Sequence, residues 1–262
     1  MCIALAHVLD PRPAAEAARE LIADSVNIPV NELHARTHEL PPRTDEVPVA
    51  DVAPQSQAAV AWLQAHGRRA RLETAVVRVA TESPQPQGRL WRPNGFLESI
   101  ISQIEPGVAL DLACGSGRDV VFLAACGWRV VGIDLLPDAL SRAARLAGRY
   151  TLRTAPIWRC VDLESESLAL DGQYDLITCF RYLHRPLLSR IAALLRRGGH
   201  WVVETFTTEH RRRHGKPGRE AFVLRAGELA ELTPGLRVRH FSEDWRGEAH
   251  TARLWGQKPA DQ

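Results

Sequence analysis

The sequence predicts an α/β chain built around a doubly wound sheet, and three observations predict it. From Arg92 onward, apolar strand-like runs alternate with amphipathic helical segments. The run Val108-Ala109-Leu110-Asp111-Leu112-Ala113 passes directly into Cys114-Gly115-Ser116-Gly117-Arg118-Asp119, a strand feeding a glycine turn that opens a helix. A second strand, Arg129 to Ile133, ends at the carboxylate of Asp134. Strand, glycine turn and strand-end acid together describe a pocket for a nucleotide-bearing cofactor at the carboxyl edge of a parallel sheet.

The remaining elements follow in order. Asn94 to Ile104 reads as an amphipathic helix leading into the first strand, and Arg118 to Cys126 as a helix stopped by Gly127. Pro137, a favoured first-turn residue, opens a helix that runs to Ala147. Pro156 to Val161 is a third strand, ending at Asp162. Tyr174 to Phe180 is a continuous apolar fourth strand of the kind buried on both faces. Arg185 to Leu195 reads as a helix stopped by Gly198-Gly199, and His200 to Phe206 as the fifth strand. A hairpin over Phe241 to His250 closes the chain.

Ahead of this lies a smaller α/β layer. Cys2 to Leu9 reads as a strand, Pro13 to Ile22 as a helix, and Val26 to Val30 as a strand closed by proline. Asn31 is placed to cap a second helix; Glu46 to Val52 is a brief strand, Gln55 to His66 a helix, and Arg71 to Ala80 the last strand. The stretch Thr81-Glu82-Ser83-Pro84-Gln85-Pro86-Gln87-Gly88 has no apolar periodicity and reads as a linker. The predicted organisation is a first domain over 1–80, a linker over 81–91 and a second domain over 92–262.

Composition narrows the class. A chain of 262 residues with 45% hydrophobic content has ample material for a core. Basic and acidic residues nearly balance at 33 and 31, which gives no global argument for nucleic acid as a partner. The five cysteines form no C-x-x-C pair and no ligand spacing, so no metal site is expected. Arg12, Glu16, Arg19 and Glu20 interrupt the N-terminal stretch, and no apolar run is long enough to span a bilayer. The expectation is a cytoplasmic protein with no membrane partner.

The first domain resembles the rhodanese-like family. Leu9-Asp10-Pro11-Arg12-Pro13, then Ser25 to Leu33, then Ser56 to Leu63 carry that likeness. The family places a cysteine nucleophile at the end of the strand before the last of these helices. Here Asp51 falls at that position, and the following loop, Val52-Ala53-Pro54-Gln55, lacks glycine. A carboxylate cannot carry a persulfide, and proline removes one of the N–H groups that would cradle its charge. The domain is therefore expected to be a degenerate one, kept for packing or for binding a protein partner.

In the second domain, Gly115 and Gly117 let the backbone turn tightly and approach a ligand, and the helix behind them offers N–H donors. Asp134 can accept both hydroxyls of a ribose. That pair alone does not separate a nicotinamide dinucleotide from other adenosine cofactors. The third glycine of the dinucleotide pattern is absent, since Val stands at position 120, and Asp111 lies within the first strand. A carboxylate there suits a cationic cofactor bearing an amino acid.

At these residues the chain resembles the class I S-adenosylmethionine (SAM)-dependent methyltransferases. Leu110 to Gly117, Val131 to Asp134, Cys160 to Leu163, Tyr174 to Ile177 and Leu194 to Gly199 match in family order. The resemblance implies a seven-stranded, Rossmann-like sheet with SAM as cofactor. It implies that Asp111 and Gly115 border the methionine part, that Asp134 holds the ribose, and that Cys114, Gly117 and Leu135 also belong to the cofactor site. Asp162 would accept the adenine amino group, with Leu163 against the ring and Cys179 at the end of the fourth strand.

Within that superfamily the chain is most similar to the tellurite-resistance methyltransferase group, on Arg181 to Arg185, Glu204 to Thr207, Phe222 to Leu229 and the closing hairpin. That likeness puts His250 and Arg253 on the substrate side; the alternating final strand allows His250 a plain surface position equally well. Arg181, His184 and Arg185 follow the fourth strand, and His210 to Lys216 forms a second cationic stretch on the loop after the fifth. Two cationic stretches near one cleft favour a small anionic acceptor such as a chalcogen oxyanion or a thiol. The candidate catalytic residues are His250, Arg181 and His184. A SAM-binding scaffold without turnover is the alternative, and a nicotinamide-dependent oxidoreductase is a further one.

Overall fold

The computed structural model describes residues 3–79, 88–165, 170 and 172–260, and it divides into two compact units. The first comprises 1–92 with 149–151, the second 93–148 with 152–262. Most of the expected linker, at 81–87, and Cys2 lie outside the described residues.

The first unit holds β1 (Val8–Asp10), α1 (Ala14–Ala17), β2 (Leu21–Ile22), β3 (Ser25–Asn27), β4 (Val47–Ala50), α2 (Gln55–Ala65), β5 (Ala70–Glu73) and β6 (Arg78–Val79). Four of these strands form an all-parallel sheet in the order β3-β1-β4-β5, and β2 pairs separately with β6. Leu9, Ile28, Leu33, Val47, Val49 and Leu63 are its buried centre. The loop after β1 is tied by a buried ion pair, in which Arg12 donates through its backbone N, Nε and Nη2 to the Asp10 carboxylate.

Two helices expected here are shorter in the structure. The segment Pro13–Ile22 is helical only over α1, because Leu21 and Ile22 are drawn into pairing with β6 and Arg12 takes the Glu20 carbonyl at 2.7 Å. The helix expected from Asn31 is reduced to two 3-10 turns, Val30–Glu32 and Thr37–Glu39, and Asn31 caps neither. A segment that must stop at Pro41-Pro42 is too short to repay helix nucleation.

The second unit holds α3 (Gly95–Ile100), β7 (Val108–Leu112), α4 (Arg118–Ala125), β8 (Arg129–Asp134), α5 (Pro137–Ala147), β9 (Ile157–Cys160), β10 (Tyr174–Phe180), α6 (Arg185–Leu188), α7 (Ile191–Leu194), β11 (Leu195–Phe206), α8 (Thr208–His214), α9 (Glu228–Glu231), β12 (Arg237–Arg246) and β13 (Ala249–Gln257). Seven strands form one sheet in the order β12-β13-β11-β10-β7-β8-β9. From β11 to β9 all neighbours are parallel, and β13 is antiparallel to both of its neighbours. This is a Rossmann-like arrangement whose strand order reverses at β7, so the glycine turn sits at the switch point.

The helix expected over Arg185–Leu195 breaks into α6 and α7. Ser189 Oγ donates back to the Pro186 carbonyl, and Leu195 leaves to pair with Tyr174 across a bulge. The helix expected from Asn94 ends as α3 and a 3-10 turn; Asn94 itself stands outside it as the cap, its Oδ1 accepting from the N–H groups of Phe96 and Leu97.

One glycine of the turn is held by packing. Gly117 has a φ of +77°, and a Cβ there would lie 2.6 Å from the Ala143 Cβ and 2.8 Å from the Trp158 ring. The same ring would meet a Cβ on Gly132 at 2.9 Å. Trp158 on β9 therefore fills a slot that two glycines leave open. Gly117→Ala adds both a left-handed backbone penalty and overpacking, and should lower unfolding free energy by about 2–4 kcal/mol. Urea denaturation measures this; a loss below about 0.5 kcal/mol, the range of ordinary surface changes, would show that the slot is slack.

Candidate active site

The glycine turn is built by three residues with positive φ, Ala113 (+55°), Gly115 (+55°) and Gly117 (+77°). Around Gly115 a Cβ would meet nothing within 4 Å, so this backbone borders open space. Sequence reasoning gave both glycines the same role; the structure separates them, Gly115 facing space and Gly117 facing α5 and Trp158.

Asp134 fastens the turn. Its Oδ2 accepts from the Gly115 N–H at 2.8 Å and its Oδ1 from the Leu136 N–H at 2.9 Å, and the Cys114 N–H donates to the Ile133 carbonyl at 2.9 Å. The end of β8 is thereby sewn to the end of β7. Leu135, next in the chain, is exposed and offers an apolar side chain at the rim.

Asp111 lies at the carboxyl end of β7, 1% exposed, accepting from Thr178 Oγ1 at 2.6 Å. Burial holds its carboxyl well above the usual range, and the carboxylates of Asp119 and Asp134 raise it further against the Thr178 bond. Asp119, at the start of α4, is raised as well, chiefly by burial, against the hydrogen bond from the Asn94 N–H and the nearby charge of Arg118. Asp111, buried with no cation bonded to it, borders the turn, and a cationic ligand would relieve it. Cys114 and Cys179 carry thiols pushed up by burial, so neither is a thiolate.

The other cofactor-side residues are distributed unevenly. Asp162 is exposed, and its Oδ1 accepts from the Glu164 N–H at 2.9 Å. Leu163 and Cys179 are buried in one apolar cluster with Leu112, Ile133 and Ile177. The Cys179 Sγ donates weakly to the Tyr182 carbonyl, 3.8 Å away. Apolar side chains at strand ends gain more from that core than from a solvated rim.

The cationic segments depart from expectation in one respect. The second cationic stretch lies on a helix, α8, with Arg211 to His214 in its last turn, where the helix dipole favours cations. Its charges have partners: Arg212 meets Glu209 at 3.0 Å, and Arg213 meets Glu248 at 3.3 Å while lying 4.8 Å from the Trp245 ring centroid. Arg185 is likewise engaged. It bonds Glu228 at 2.7 and 2.9 Å and also the Ala221 and Val223 carbonyls. These bonds lower the Glu228 carboxyl to about 2. Arg253 donates to Glu204 through Nε and Nη2.

Of the three candidate catalytic residues, Arg181 is exposed, with φ at +59° and its guanidinium 5.9 Å from the Phe206 ring centroid. His184 is half-buried ahead of α6. His250 is 8% exposed, its Nδ1 lying 2.6 Å from Thr207 Oγ1 and its ring edge-on to Trp245 at 5.1 Å. Phe206 and Trp245 bring His250 together with two histidines that sequence reasoning left inside a charge run. His210 stacks on Phe206 at 4.2 Å, and His214 sits 4.6 Å from His210. Burial lowers the His210 imidazole, as do His214, His250 and Arg181. Among the described residues no group of three or more His, Cys, Asp or Glu side chains is arranged to hold a metal ion.

Glu204 opens the segment Glu204 to Thr207 at the end of β11. In the structure it is buried and accepts from Asn94 Nδ2, Thr251 Oγ1 and Arg253. Its backbone carbonyl also takes the Arg181 N–H at 2.8 Å.

Comparison with known proteins agrees with this geometry. Residues 110–201 match the family model described as a methyltransferase domain. A ubiquinone biosynthesis O-methyltransferase of Bordetella parapertussis is 32% identical over 121 residues, covering 45% of this chain and 48% of that protein. The chain thus spans about half the length of the curated relatives it matches. Among solved structures, TehB of Haemophilus influenzae shares the fold with a TM-score of 0.54 at 17% identity, covering 63% of this chain and 62% of that one. The magnesium protoporphyrin IX methyltransferase of Synechocystis does so with a TM-score of 0.51 at 18% identity, covering 63% and 81%. Residues 110–201 are thus similar to a methyltransferase domain, and the second unit shares its fold with solved methyltransferases.

The sign of the Asp111 effect on stability is fixed by its raised carboxyl. In the absence of cofactor, its contribution is fully present below the unfolded carboxylate value near about pH 4 and is lost as pH rises through the raised folded value. Asp111→Asn keeps an acceptor for Thr178 and removes the charge, so its unfolding free energy should overtake that of the wild type as pH rises from about 4 to 8. Urea midpoints across that range test this; parallel curves for the two proteins would contradict it.

Proposed function

We propose that the protein transfers the methyl group of SAM to a small acceptor through an ionised or ionisable atom. The observation that carries this reading is the open backbone at Gly115 set between Asp111 and Asp134. SAM supplies the chemistry, a methyl group on a cationic sulfur that leaves as a neutral thioether. The chain's own residues bind and orient. Asp134 faces the ribose, Asp111 and Asp119 face the cationic end, and Leu135 and Asp162 border the adenine. Arg181, His184 and His250 stand on the acceptor side. The likeness to the tellurite-resistance group and the exposed Arg181 support an acceptor that is anionic, through a chalcogen oxyanion, a thiol or a comparable atom.

We read residues 1–80 as a degenerate rhodanese-like domain joined through 81–91 to the methyltransferase domain over 92–262. The parallel sheet, the buried Asp10–Arg12 pair and the place of Asp51 support this. Asp51 follows β4 ahead of α2, and its Oδ1 accepts from Ser56 Oγ at 3.3 Å. A carboxylate in that position repels an anionic sulfur donor, which leaves the domain free to serve as a surface for a protein partner.

Calorimetry should find SAM binding to the wild type and binding about tenfold or more weaker to Asp134→Ala, which removes both the ribose acceptor and the fastening of the turn. No binding to the wild type at millimolar SAM would defeat the proposal. Binding without turnover on chalcogenide, thiol and phenol acceptors would favour a SAM-dependent scaffold. A thiosulfate sulfurtransferase assay should show nothing above background; activity there would overturn the reading of Asp51.

A further inference from the structure

The start of α8 departs from the usual chemistry of a helix cap. Thr207 stands at the cap position, yet its side chain accepts no N–H group of the first turn. Its hydroxyl lies instead 2.6 Å from His250 Nδ1 on β13. Thr207 is fully buried and His250 nearly so. Among the described residues the hydroxyl has no other hydrogen bond. The Thr207 N–H also donates to the His250 carbonyl at 3.3 Å, so the two residues are joined through both backbone and side chain.

That side-chain bond has a direction. A buried O–H with a single partner donates to it or is left unpaired, while a spare lone pair on the same oxygen costs less. Thr207 Oγ1 therefore donates to His250 Nδ1, and the neutral ring carries its hydrogen on Nε2. A second imidazole is set in the same way. The backbone N–H of His250 donates to His210 Nδ1 at 3.4 Å, so neutral His210 is also an Nε2–H ring. Burial lowers the His210 imidazole, as do His214, His250 and Arg181, which favours that neutral form. Neither Nε2 has a partner among the described residues, and neither is sealed from solvent. His210 stacks on Phe206 at 4.2 Å, and the Arg181 guanidinium lies over the same ring. Two imidazole N–H donors and an exposed cation thus gather around the end of β11.

We propose that Thr207 is a positioning residue, and that His210 and His250 are paired hydrogen-bond donors to the anionic atom of the methyl acceptor, beside the charge of Arg181. The proposal rests on the methyl-transfer reading above and adds a constraint to it. With Nδ1 taken up by Thr207 and Nε2 already carrying hydrogen, neutral His250 has no lone pair with which to remove a proton. The acceptor must enter ionised. Its lone pair forms the bond to the methyl carbon as the sulfur–methyl bond breaks, and the electrons of that bond stay on sulfur. One negative and one positive charge are cancelled, and no proton moves in the step. Because the negative charge is spent in the transition state, donors of this kind act on binding: they lower KM and do not raise kcat.

Two measurements on the full chain test this. Long-range proton–nitrogen spectra of the histidine-labelled protein, taken at about pH 8 above the ordinary imidazole range, report which ring nitrogen carries hydrogen. His210 and His250 should both be Nε2–H rings in the wild type. Thr207→Val, which keeps the shape and removes the hydroxyl, should give His250 a mixture of the two forms, and Thr207→Ser should restore the wild-type pattern. The second measurement follows labelled methyl from SAM to hydrosulfide and to thiophenolate, both anions at that pH. His210→Phe and His250→Phe keep a ring and remove the donor; each should raise KM by about tenfold or more and leave kcat within about threefold. SAM affinity by calorimetry should stay within about twofold throughout, which also reports that each variant is folded. The proposal is overturned if His250 carries its hydrogen on Nδ1 in the wild type, or if Thr207→Val leaves that pattern unchanged. It is equally overturned if the histidine variants lower kcat with KM unchanged, the mark of a base, or if the wild type binds SAM and methylates neither anion. Failure of the wild type to bind SAM would instead bring down the methyl-transfer reading, whichever form the rings adopt.

Discussion

The carboxylate of Glu204 is the constraint on which the meeting of α3, β11 and β13 in the second unit depends. It sits buried on β11 and gathers donors from residues far apart in sequence: Asn94 Nδ2 at 2.7 Å, Thr251 Oγ1 at 2.7 Å, and Arg253 Nε and Nη2 at 2.9 and 2.7 Å. Asn94 is also the cap of α3, so the start of that helix is pinned to the middle of the sheet. Asp119 accepts the Asn94 N–H, which extends the same set of bonds to the first turn of α4 behind the glycine loop. A buried carboxylate is tolerated only when charge and hydrogen bonds surround it, and here they come from the cap of α3 and from two residues of β13. Removing it would leave Arg253 without its carboxylate partner and Asn94 without a side-chain acceptor.

That arrangement distinguishes cations that hold the fold from cations left for a ligand. Arg253 belongs to Glu204, Arg185 to Glu228, Arg212 to Glu209, and Arg213 to Glu248 and the Trp245 ring. A count of arginines in the sequence suggests a strongly cationic cleft; the pairings reduce it to a few exposed groups. What remains is selective: a guanidinium on Phe206, another on Phe222, and imidazoles set among aromatic rings.

Much of the second unit was legible because long apolar periods outweigh local detail. The helix Pro137–Ala147 and the strand Tyr174–Phe180 fall where their patterns placed them, since a helix with a proline start and a strand buried on both faces leave few alternatives. The closing hairpin is longer than expected, because exposed β12 carries no clean alternation for the sequence to display. In the first unit the short elements were misjudged, as pairing between Leu21–Ile22 and Arg78–Val79 overrode helix propensity across a long sequence gap. At the site, the strand-end acids were visible, but the Asn94–Glu204 bond and the His210–Trp245–His250 grouping were not. Both arise from contacts between distant segments that no periodicity announces.

The fastening of the glycine turn by Asp134 has a stoichiometric consequence. A carboxylate offers about four lone-pair directions. Two are occupied by the Gly115 and Leu136 N–H groups, which fixes the side chain in one orientation before any ligand arrives. Two remain, the number that a pair of adjacent sugar hydroxyls would use. A ribose reaching this residue would therefore complete its valence without displacing a bond, and would not have to order the turn as it bound.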